Sequence, residues 1–110
     1  MAKFIISRRT NFEWQFKLLA DNGQIILLSE GYTTRTSCEA AVASVKSNAL
    51  SDNNYIRKTS VNMKYYFVLK ALNGEIIGTS ELYESQAGRE NGISAVKKYA
   101  PSAWLEVLSH

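Results

Sequence analysis

The 110-residue chain is 45% hydrophobic and 21% charged, and its 13 basic and 10 acidic side chains give a formal net charge of +3. This balance predicts a globular domain and excludes a disordered chain. No apolar run approaches the ~20 residues of a membrane-spanning helix, and the apolar run after Met1 is too short for a signal peptide. A single cysteine cannot form an internal disulfide, so the sequence predicts a cytoplasmic protein.

The sequence contains a repeat at an offset of 51 residues. Segment 16–30 returns as segment 67–81 without a gap. Agreement in register over this length indicates a tandem duplication with a unit of roughly fifty residues. We therefore predict a single domain, 1–110, made of two repeats at about 3–54 and 55–110.

Apolar residues at alternate positions indicate β-strands in the first repeat. Trp14, Phe16 and Leu18 share one face of such a strand. Asn22-Gly23 is typical of a two-residue type I′ turn, because both residues accept positive φ at low cost. The predicted strands are 3–8, 13–20 and 24–29.

A helix is predicted after these strands, over 40–48. Thr36 and Glu39 have the spacing of a capping box. In this motif the threonine side chain accepts from the backbone amide three residues on, and the glutamate side chain accepts from the backbone amide of the threonine. Small apolar residues recur at helical spacing, which suits close packing on a sheet. These residues are Ala41, Val42, Val45 and Ala49.

The second repeat has the same elements, with Asn73-Gly74 as its type I′ turn. Gly92 is interpreted as letting the helix approach the sheet closely, and Pro101 should end that helix. The predicted strands are 55–60, 65–71, 75–80 and 104–108, and the predicted helix is 85–99.

Each predicted hairpin has one apolar face and each helix has one apolar stripe. Both helices should therefore cover the same face of one sheet, with Val45 and Val96 buried at equivalent sites. The expected fold is α+β, with one antiparallel sheet of about seven strands and two helices on one face. We expect a monomer with internal pseudo-twofold symmetry.

A longer motif carries a family resemblance. Asn-Gly-(Gln/Glu)-Ile-Ile-x-x-Ser-Glu-x-Tyr begins at Asn22 and again at Asn73, and the following helices contain Ser44-Val45-Lys46 and Ala95-Val96-Lys97. This pattern resembles the repeat of the YegP-like family of small bacterial proteins, in its two-copy form, over nearly the whole chain. The resemblance implies two β3-α-β units that join into one sheet and exchange their C-terminal strands. It brings no catalytic residue to this chain.

The two copies differ at two places within the motif. Leu27-Leu28 corresponds to Gly78-Thr79, and Gly31 corresponds to Leu82. We expect these differences to affect packing and loop shape, and to leave the fold unchanged.

The last predicted strand should pair within the sheet of the first repeat. A sheet of hairpins leaves open edges, and a strand donated by the sister copy closes one of them. The alternation along 104–108 predicts that Leu105 and Val107 face inward.

Few residues offer catalytic chemistry. His110 is the last residue, where chain ends are poorly held. Cys38 has no histidine partner, and we interpret it as a small, partly buried side chain. The sequence has no Cys/His set with metal-ligand spacing and no Gly-rich phosphate loop. We therefore expect no catalytic, cofactor-binding or metal-binding residues.

Four carboxylates recur in both repeats: Glu30 with Glu81, and Glu39 with Glu90. Two of them could meet across the pseudo-twofold axis and act as acid and base. The favoured interpretation is that Glu39 and Glu90 complete helix N-termini, while the other two are strand-end charges.

Tyr32 and Tyr83 follow the Ser-Glu of each motif. They could form a recognition surface, as exposed tyrosines often do. The favoured alternative is that they pack beneath the helices with their hydroxyls at the solvent.

Basic and aromatic residues interleave in several strands. This pattern is typical of a weak stacking platform for single-stranded nucleic acid, although a polar outer sheet face has the same pattern. The sequence favours a non-enzymatic binding or interaction module with an unknown ligand. The alternative is a nucleic-acid-associated protein that uses this face. The candidate partner-binding residues are Lys17, Arg57, Lys64, Tyr66 and Lys70.

Overall fold

The computed structural model describes residues 1–108, so the prediction for His110 lies outside the described residues. The strands are β1 (Lys3–Arg8), β2 (Trp14–Leu19), β3 (Ile25–Leu28), β4 (Tyr55–Thr59), β5 (Tyr65–Lys70), β6 (Ile76–Thr79) and β7 (Trp104–Val107). The helices are α1 (Arg35–Asn48) and α2 (Gln86–Tyr99), and 3-10 turns cover Asp52–Asn54 and Ala100–Ser102. Each predicted strand and helix is present, with ends that differ by a few residues.

The strands form one sheet in the order β4-β5-β6-β3-β2-β1-β7. The two hairpin units meet where β3 pairs with β6, through Leu28 and Thr79. This junction lies at the centre of the internal symmetry, because the 51-residue offset relates β1, β2 and β3 to β4, β5 and β6. The sheet therefore joins both repeats.

The prediction of a wholly antiparallel sheet is wrong at one pair. β7 runs parallel to β1, with Lys3 beside Trp104 and Ile6 beside Val107. β2 is paired on both sides, antiparallel to β1 and to β3, so β1 has only its other edge free. The other edge of β1 is filled by β7, which runs in the same direction as β1 and so pairs with it as a parallel strand. The sheet is mixed for this reason.

The predicted strand exchange is confirmed. β7 follows α2 in the second repeat, yet it pairs with β1 of the first repeat. Leu105 and Val107 stand beside the buried Phe4 and Ile6, so they face the core side of the sheet as predicted. Val107 packs against the core, whereas Leu105 remains 46% exposed at the sheet edge.

The predicted type I′ turns are wrong in detail. Gly23 and Gly74 have positive φ, but the asparagines before them do not. The amide of Gly23 donates to the carbonyl of Ala20, and the amide of Ala20 donates to the carbonyl of Gln24, at 2.9 Å each. This is a three-residue loop in which a left-handed residue follows a type I turn.

The same loop occurs in all four hairpins of the described chain. In each, an asparagine precedes the left-handed residue, and its side chain accepts from the amide two residues on in three of the four. Such local bonds favour turns over extended strand. The left-handed residues are Phe12, Gly23, Met63 and Gly74.

α1 begins five residues earlier than predicted, whereas α2 begins within one residue of its predicted start. The Thr34 hydroxyl accepts from the amide of Ser37 at 3.0 Å, and Ser85 accepts in the same way from Gly88 at 3.0 Å. A threonine or serine that accepts from the third amide is a helix N-cap. Thr36 therefore lies inside α1, and Glu39 takes no part in the cap.

Both helices cover the same face of the sheet, as predicted. One continuous core contains buried residues of α1, of α2 and of the inward face of the strands. Val45 and Val96 are both fully buried. The pseudo-symmetry extends to the aromatic contacts, since two edge-to-face ring pairs lie at equivalent places. These are Phe4 with Phe16 at 5.6 Å and Tyr55 with Phe67 at 5.7 Å between ring centroids.

Candidate binding surfaces

The outer face of the sheet is the face that the helices leave uncovered. Strand residues that alternate with the core residues point to this side. Ile5, Leu19 and Leu28 are only half-buried there, whereas Val68 is 4% exposed among its neighbours on the sheet. Trp104 stands beside Lys3 at the β7 end and is 66% exposed. The outer face is thus an apolar surface with an aromatic side chain at one end.

Three of the predicted partner-binding residues lie on this outer face. Lys17 pairs in register with Leu28, and Lys70 pairs with Ile76. Tyr66 lies beside Lys58. Among residues 1–108, no carboxylate lies within ion-pair distance of these lysines. Their charge is available to a partner.

Arg57 is on the opposite side of the sheet from Lys17 and Lys70. It pairs in register with the buried Phe67, so its side chain points to the helix layer. Its guanidinium binds Glu90 at 2.9 Å and Asp52 at 3.1 Å. Alternation predicts that Arg57 and Lys58 face opposite sides of the sheet, but the sequence pattern does not contain the ion pair with Glu90, which lies 33 residues away.

The ion pairs of Arg57 shift the pKa values of its partners. Side-chain hydrogen bonds from Arg57 hold the pKa of Glu90 below its usual value, and Arg89 lowers it further. Hydrogen bonds from Arg57, and then from Lys97, lower the pKa of Asp52 in the same way. These charges line the open edge of β4, where the equivalent edge of β1 is covered by β7. Charged side chains protect sheet edges from unwanted pairing.

The charge of Lys64 is also neutralised by an acidic side chain. It lies in the turn between β4 and β5, and its ammonium group contacts the Glu84 carboxylate. Two of the five predicted candidates, Arg57 and Lys64, are therefore neutralised by acidic partners, whereas Lys17, Tyr66 and Lys70 remain together.

Cys38 is fully buried in α1, more deeply than the sequence predicted. Burial raises the pKa of its thiol to about 11, with a further contribution from the charge of Glu39. A thiol with this pKa is protonated at neutral pH and is a poor nucleophile.

The repeated carboxylates of the helices each bind a nearby arginine. Glu39 accepts from Arg35 at 2.8 Å, and Glu90 binds Arg57 and Arg89. Neither carboxylate lies in the first turn of its helix, so the interpretation of both as N-terminal charges is wrong. The N-cap hydroxyls occupy that role instead.

Tyr32 and Tyr83 extend the sheet through backbone pairs with Trp14 and Tyr65. Both rings are half-buried against the core, which supports packing beneath the helices. Burial raises the pKa of both hydroxyls; the charges of Cys38, Glu30 and Glu75 add to the effect at Tyr32. A Cβ atom at Gly92 would lie 2.7 Å from the Cζ atom of Tyr83. Gly92 thus lets α2 pack closely on this ring, which agrees with the interpretation of Gly92 as a position of close approach to the sheet, although the sequence did not identify Tyr83 as the contact.

Beside each tyrosine lies a cleft between the helix of one repeat and a hairpin turn of the other. The Tyr32 cleft has a volume of about 350 Å³ and the Tyr83 cleft about 220 Å³. The Tyr32 cleft is lined by Tyr32, Ser37, Ala40, Ala41, Ser44, Ala71, Asn73, Glu75 and Ile77. The Tyr83 cleft is lined by Tyr83, Gly88, Asn91, Gly92, Ala95, Gln24 and Ile26.

The 51-residue offset relates all seven residues of the Tyr83 cleft to residues of the Tyr32 cleft, whereas Ala71 and Asn73 have no counterpart there, and the charge of the two clefts differs. Glu75 in the Tyr32 cleft corresponds to Gln24 in the Tyr83 cleft. Sequence reasoning missed both clefts, because each combines residues from two repeats whose mutual placement only the sheet junction defines. The repeated tyrosine was the one signal that pointed to them.

In the described part of the chain, residues 1–108, neither helix has the length and apolar character of a membrane-spanning segment. The same residues contain no group of three or more His, Cys, Asp or Glu side chains placed to hold a metal ion.

The fold and its surfaces define a class of protein: two β3-α-β repeats that share one sheet and exchange their final strand. The chain belongs to the family described as a domain of unknown function (DUF1508), whose model matches residues 10–55 and 60–106. Two matches in tandem confirm the two-copy form that the motif indicated.

The relatives confirm the resemblance to YegP. The chain is 46% identical to the UPF0339 protein YegP of Escherichia coli (strain K12) over 94 residues, covering 86% of each chain. It is 50% identical over 91 residues to a UPF0339 protein in the ptx operon 5′ region of Stutzerimonas stutzeri, covering 83% of this chain and 82% of the relative.

Two solved structures share the fold. The solution NMR structure of YegP from E. coli matches with a TM-score of 0.92 at 42% identity, over 96% of this chain and 91% of that chain. A UPF0339 protein from Shewanella oneidensis matches with a TM-score of 0.92 at 36% identity, over 97% and 91%. The first is described as a protein of unknown function, so the likeness establishes the fold and brings no site residues.

Proposed function

We propose that this protein is a non-enzymatic binding module that engages a partner through the outer face of its sheet. The proposal also holds that the protein acts as a monomer in the cytoplasm. The observation that supports it is the pairing of two apolar side chains, half-buried Leu28 and exposed Ile76, with Lys17 and Lys70, which have no acidic partner among the described residues.

Two features make this face suitable for recognition. An apolar surface releases water on contact, and lysines around it steer a partner of opposite charge. Ile76, which is 41% exposed, lies beside Lys70 and joins these two features.

The test is affinity capture from a bacterial lysate, quantified by mass spectrometry. The bait is the full chain, compared with a double variant of two outer-face residues, Ile56→Ser, which lies beside Val68, and Ile76→Ser, which lies beside Lys70. We expect specific proteins captured by the native chain to be lost with this variant. Leu50→Ser is the matched control, because Leu50 is 69% exposed beyond the end of α1. Equal capture by the native chain and the outer-face variant would contradict the proposal.

The second candidate function is binding of single-stranded nucleic acid on the same face. Tyr66 and Trp104 offer rings for stacking, and Lys17, Lys58 and Lys70 offer charge for phosphates. The exposed ring of Trp104 favours this candidate. Lys3 beside this ring is paired with Glu106 at 3.3 Å, so the free charge comes from Lys17, Lys58 and Lys70.

Fluorescence anisotropy with a labelled single-stranded oligonucleotide, measured across a salt series, tests this candidate. Lys17→Glu with Lys70→Glu should weaken binding, and each lost phosphate contact should reduce the slope of log affinity against log salt by about 0.7. Lys98→Glu, on the exposed side of α2, is the control and should change neither quantity. Binding that ignores the outer-face lysines would exclude this face as the nucleic-acid site.

A further inference from the structure

The Tyr32 cleft combines two features that a cationic ligand requires. One wall is apolar, formed by Ala40, Ala41, Ala71 and Ile77. The rim carries a negative charge, because the Glu75 carboxylate lines the cleft. Among residues 1–108, no lysine or arginine lies within ion-pair distance of this carboxylate.

The polar side chains of the cleft leave the carboxylate of Glu75 free. The Ser37 hydroxyl accepts from Thr34 at 2.9 Å, and the Ser44 hydroxyl accepts from Asn48 at 3.2 Å. Asn73 accepts from the backbone amide of Glu75 at 3.0 Å, which holds the turn that bears this residue. The Glu75 side chain is exposed at the mouth of the cleft.

The chemistry of the walls selects the kind of cation. Small apolar side chains favour an alkyl chain, and a carboxylate beside a tyrosine ring favours an ammonium or guanidinium group. A bare metal ion needs several oxygen ligands, and the described residues offer no group of three carboxylates here. The cleft, at about 350 Å³, is of a size to receive one short basic group.

We propose that the Tyr32 cleft binds an alkylammonium or alkylguanidinium group, with the alkyl part on the alanine wall and the cationic head at Glu75. The Tyr83 cleft, where Gln24 replaces the carboxylate, does not bind it. This site lies on the helix side of the sheet, so its test is independent of the test of the partner surface on the outer face.

Titration of the ¹⁵N-labelled full chain, followed by amide chemical shifts, tests the site. The free probes are butylguanidinium and 1,4-diaminobutane, and the third probe is a Gly/Ser peptide with one internal lysine. We expect saturable shifts at the amides of Tyr32, Ser44 and Glu75. Tighter binding of the peptide identifies the source as a basic side chain of a polypeptide, and tighter binding of the free amines identifies a small organic cation.

The internal repeat supplies matched variants. Glu75→Gln removes the negative charge from the Tyr32 cleft and should weaken binding by about two- to fivefold, since an ion pair at an exposed carboxylate is weak. Glu81→Gln removes an equally exposed carboxylate and should leave the Tyr32 titration unchanged.

Three results would overturn the proposal. These are the absence of shifts in the Tyr32 cleft, shifts of equal size at every acidic surface residue, and full binding by Glu75→Gln. Because Glu75 is exposed, that variant should retain the native amide spectrum, which confirms its fold in the same experiment.

Discussion

The side chain of Leu27 fills the space that a Cβ atom at Gly78 would need, with its Cγ atom 2.6 Å from that position. The two residues occupy equivalent places in the two repeats, and their strands, β3 and β6, are paired at the centre of the sheet. Equivalent residues meet near the pseudo-twofold axis, so two large side chains would collide there. The glycine of the second copy therefore leaves room for the leucine of the first.

The first prediction concerns this pair. Gly78→Ala should destabilise the protein by about 1–3 kcal/mol, because an added methyl group overpacks the site. In a Leu27→Ala background, which itself should cost about 2–5 kcal/mol, the same change should cost much less. Denaturant unfolding of the four proteins measures the coupling. Strictly additive effects would show that the two side chains do not share this space.

The second prediction concerns the turn at Gly74. Gly74→Val should cost about 1–3 kcal/mol, because a β-branched residue resists the positive φ of 89° at this position. No heavy atom lies within 4 Å of the place that a Cβ atom would take, so the cost comes from the backbone alone. Gly74→Asn is the control and should cost less, since asparagine tolerates this conformation. An unchanged denaturation midpoint for the valine variant would contradict the turn geometry. Gly23 should behave likewise.

The third prediction is an increase in stability, at Met63. Met63 has a φ of 66° without being glycine, in the same kind of turn. A non-glycine residue pays about 1–2 kcal/mol for that conformation, and glycine loses about 0.5–1 kcal/mol in chain entropy. Met63→Gly should therefore stabilise the protein by roughly 0.5 kcal/mol, seen as a higher urea midpoint. Met63→Ala keeps the strain and should show no gain. A lower midpoint for the glycine variant would contradict this account.

The fourth prediction concerns β7. Removing the residues after Pro101 takes away the strand that covers β1, and with it the contacts of Val107 on the core. Because one core links both repeats, amide hydrogen exchange should show both copies losing protection together, in a single cooperative step. If the first repeat kept full protection while only the second loosened, β7 would be stabilising its own repeat and the exchange would have no energetic role.

The fifth prediction concerns acid. The pKa values of Asp52 and Glu90 are lowered in the folded protein, mainly by hydrogen bonds from Arg57. Their contribution to stability is fully present above the ordinary values of 3.8 and 4.5, and it is lost as the pH falls through the lower values of the folded state. Arg57→Met, which keeps much of the apolar chain, should flatten this dependence in urea unfolding at a series of pH values. An equally steep loss in that variant would assign the acid sensitivity to other carboxylates.

The candidate site was only partly accessible to sequence reasoning. Lys17, Tyr66 and Lys70 share the outer face because strand alternation sets their direction. Arg57 belongs to the same pattern in sequence, but its register with Phe67 turns it toward Glu90. A charge is available to a partner only if no opposite charge in the fold takes it, and pairing between distant segments does not appear in a linear pattern.

The sequence by itself determined the repeat, the order of strands and helices, and the face on which the helices lie. These follow from local periodicity and from a motif that occurs twice, both of which are properties of neighbouring residues. Only the tertiary structure decided that β7 runs parallel to β1, that Leu27 takes the space at Gly78, and that Glu75 meets Tyr32 at a cleft. Each of these depends on how one repeat is placed against the other, and that placement results from packing and edge pairing between segments far apart in the chain.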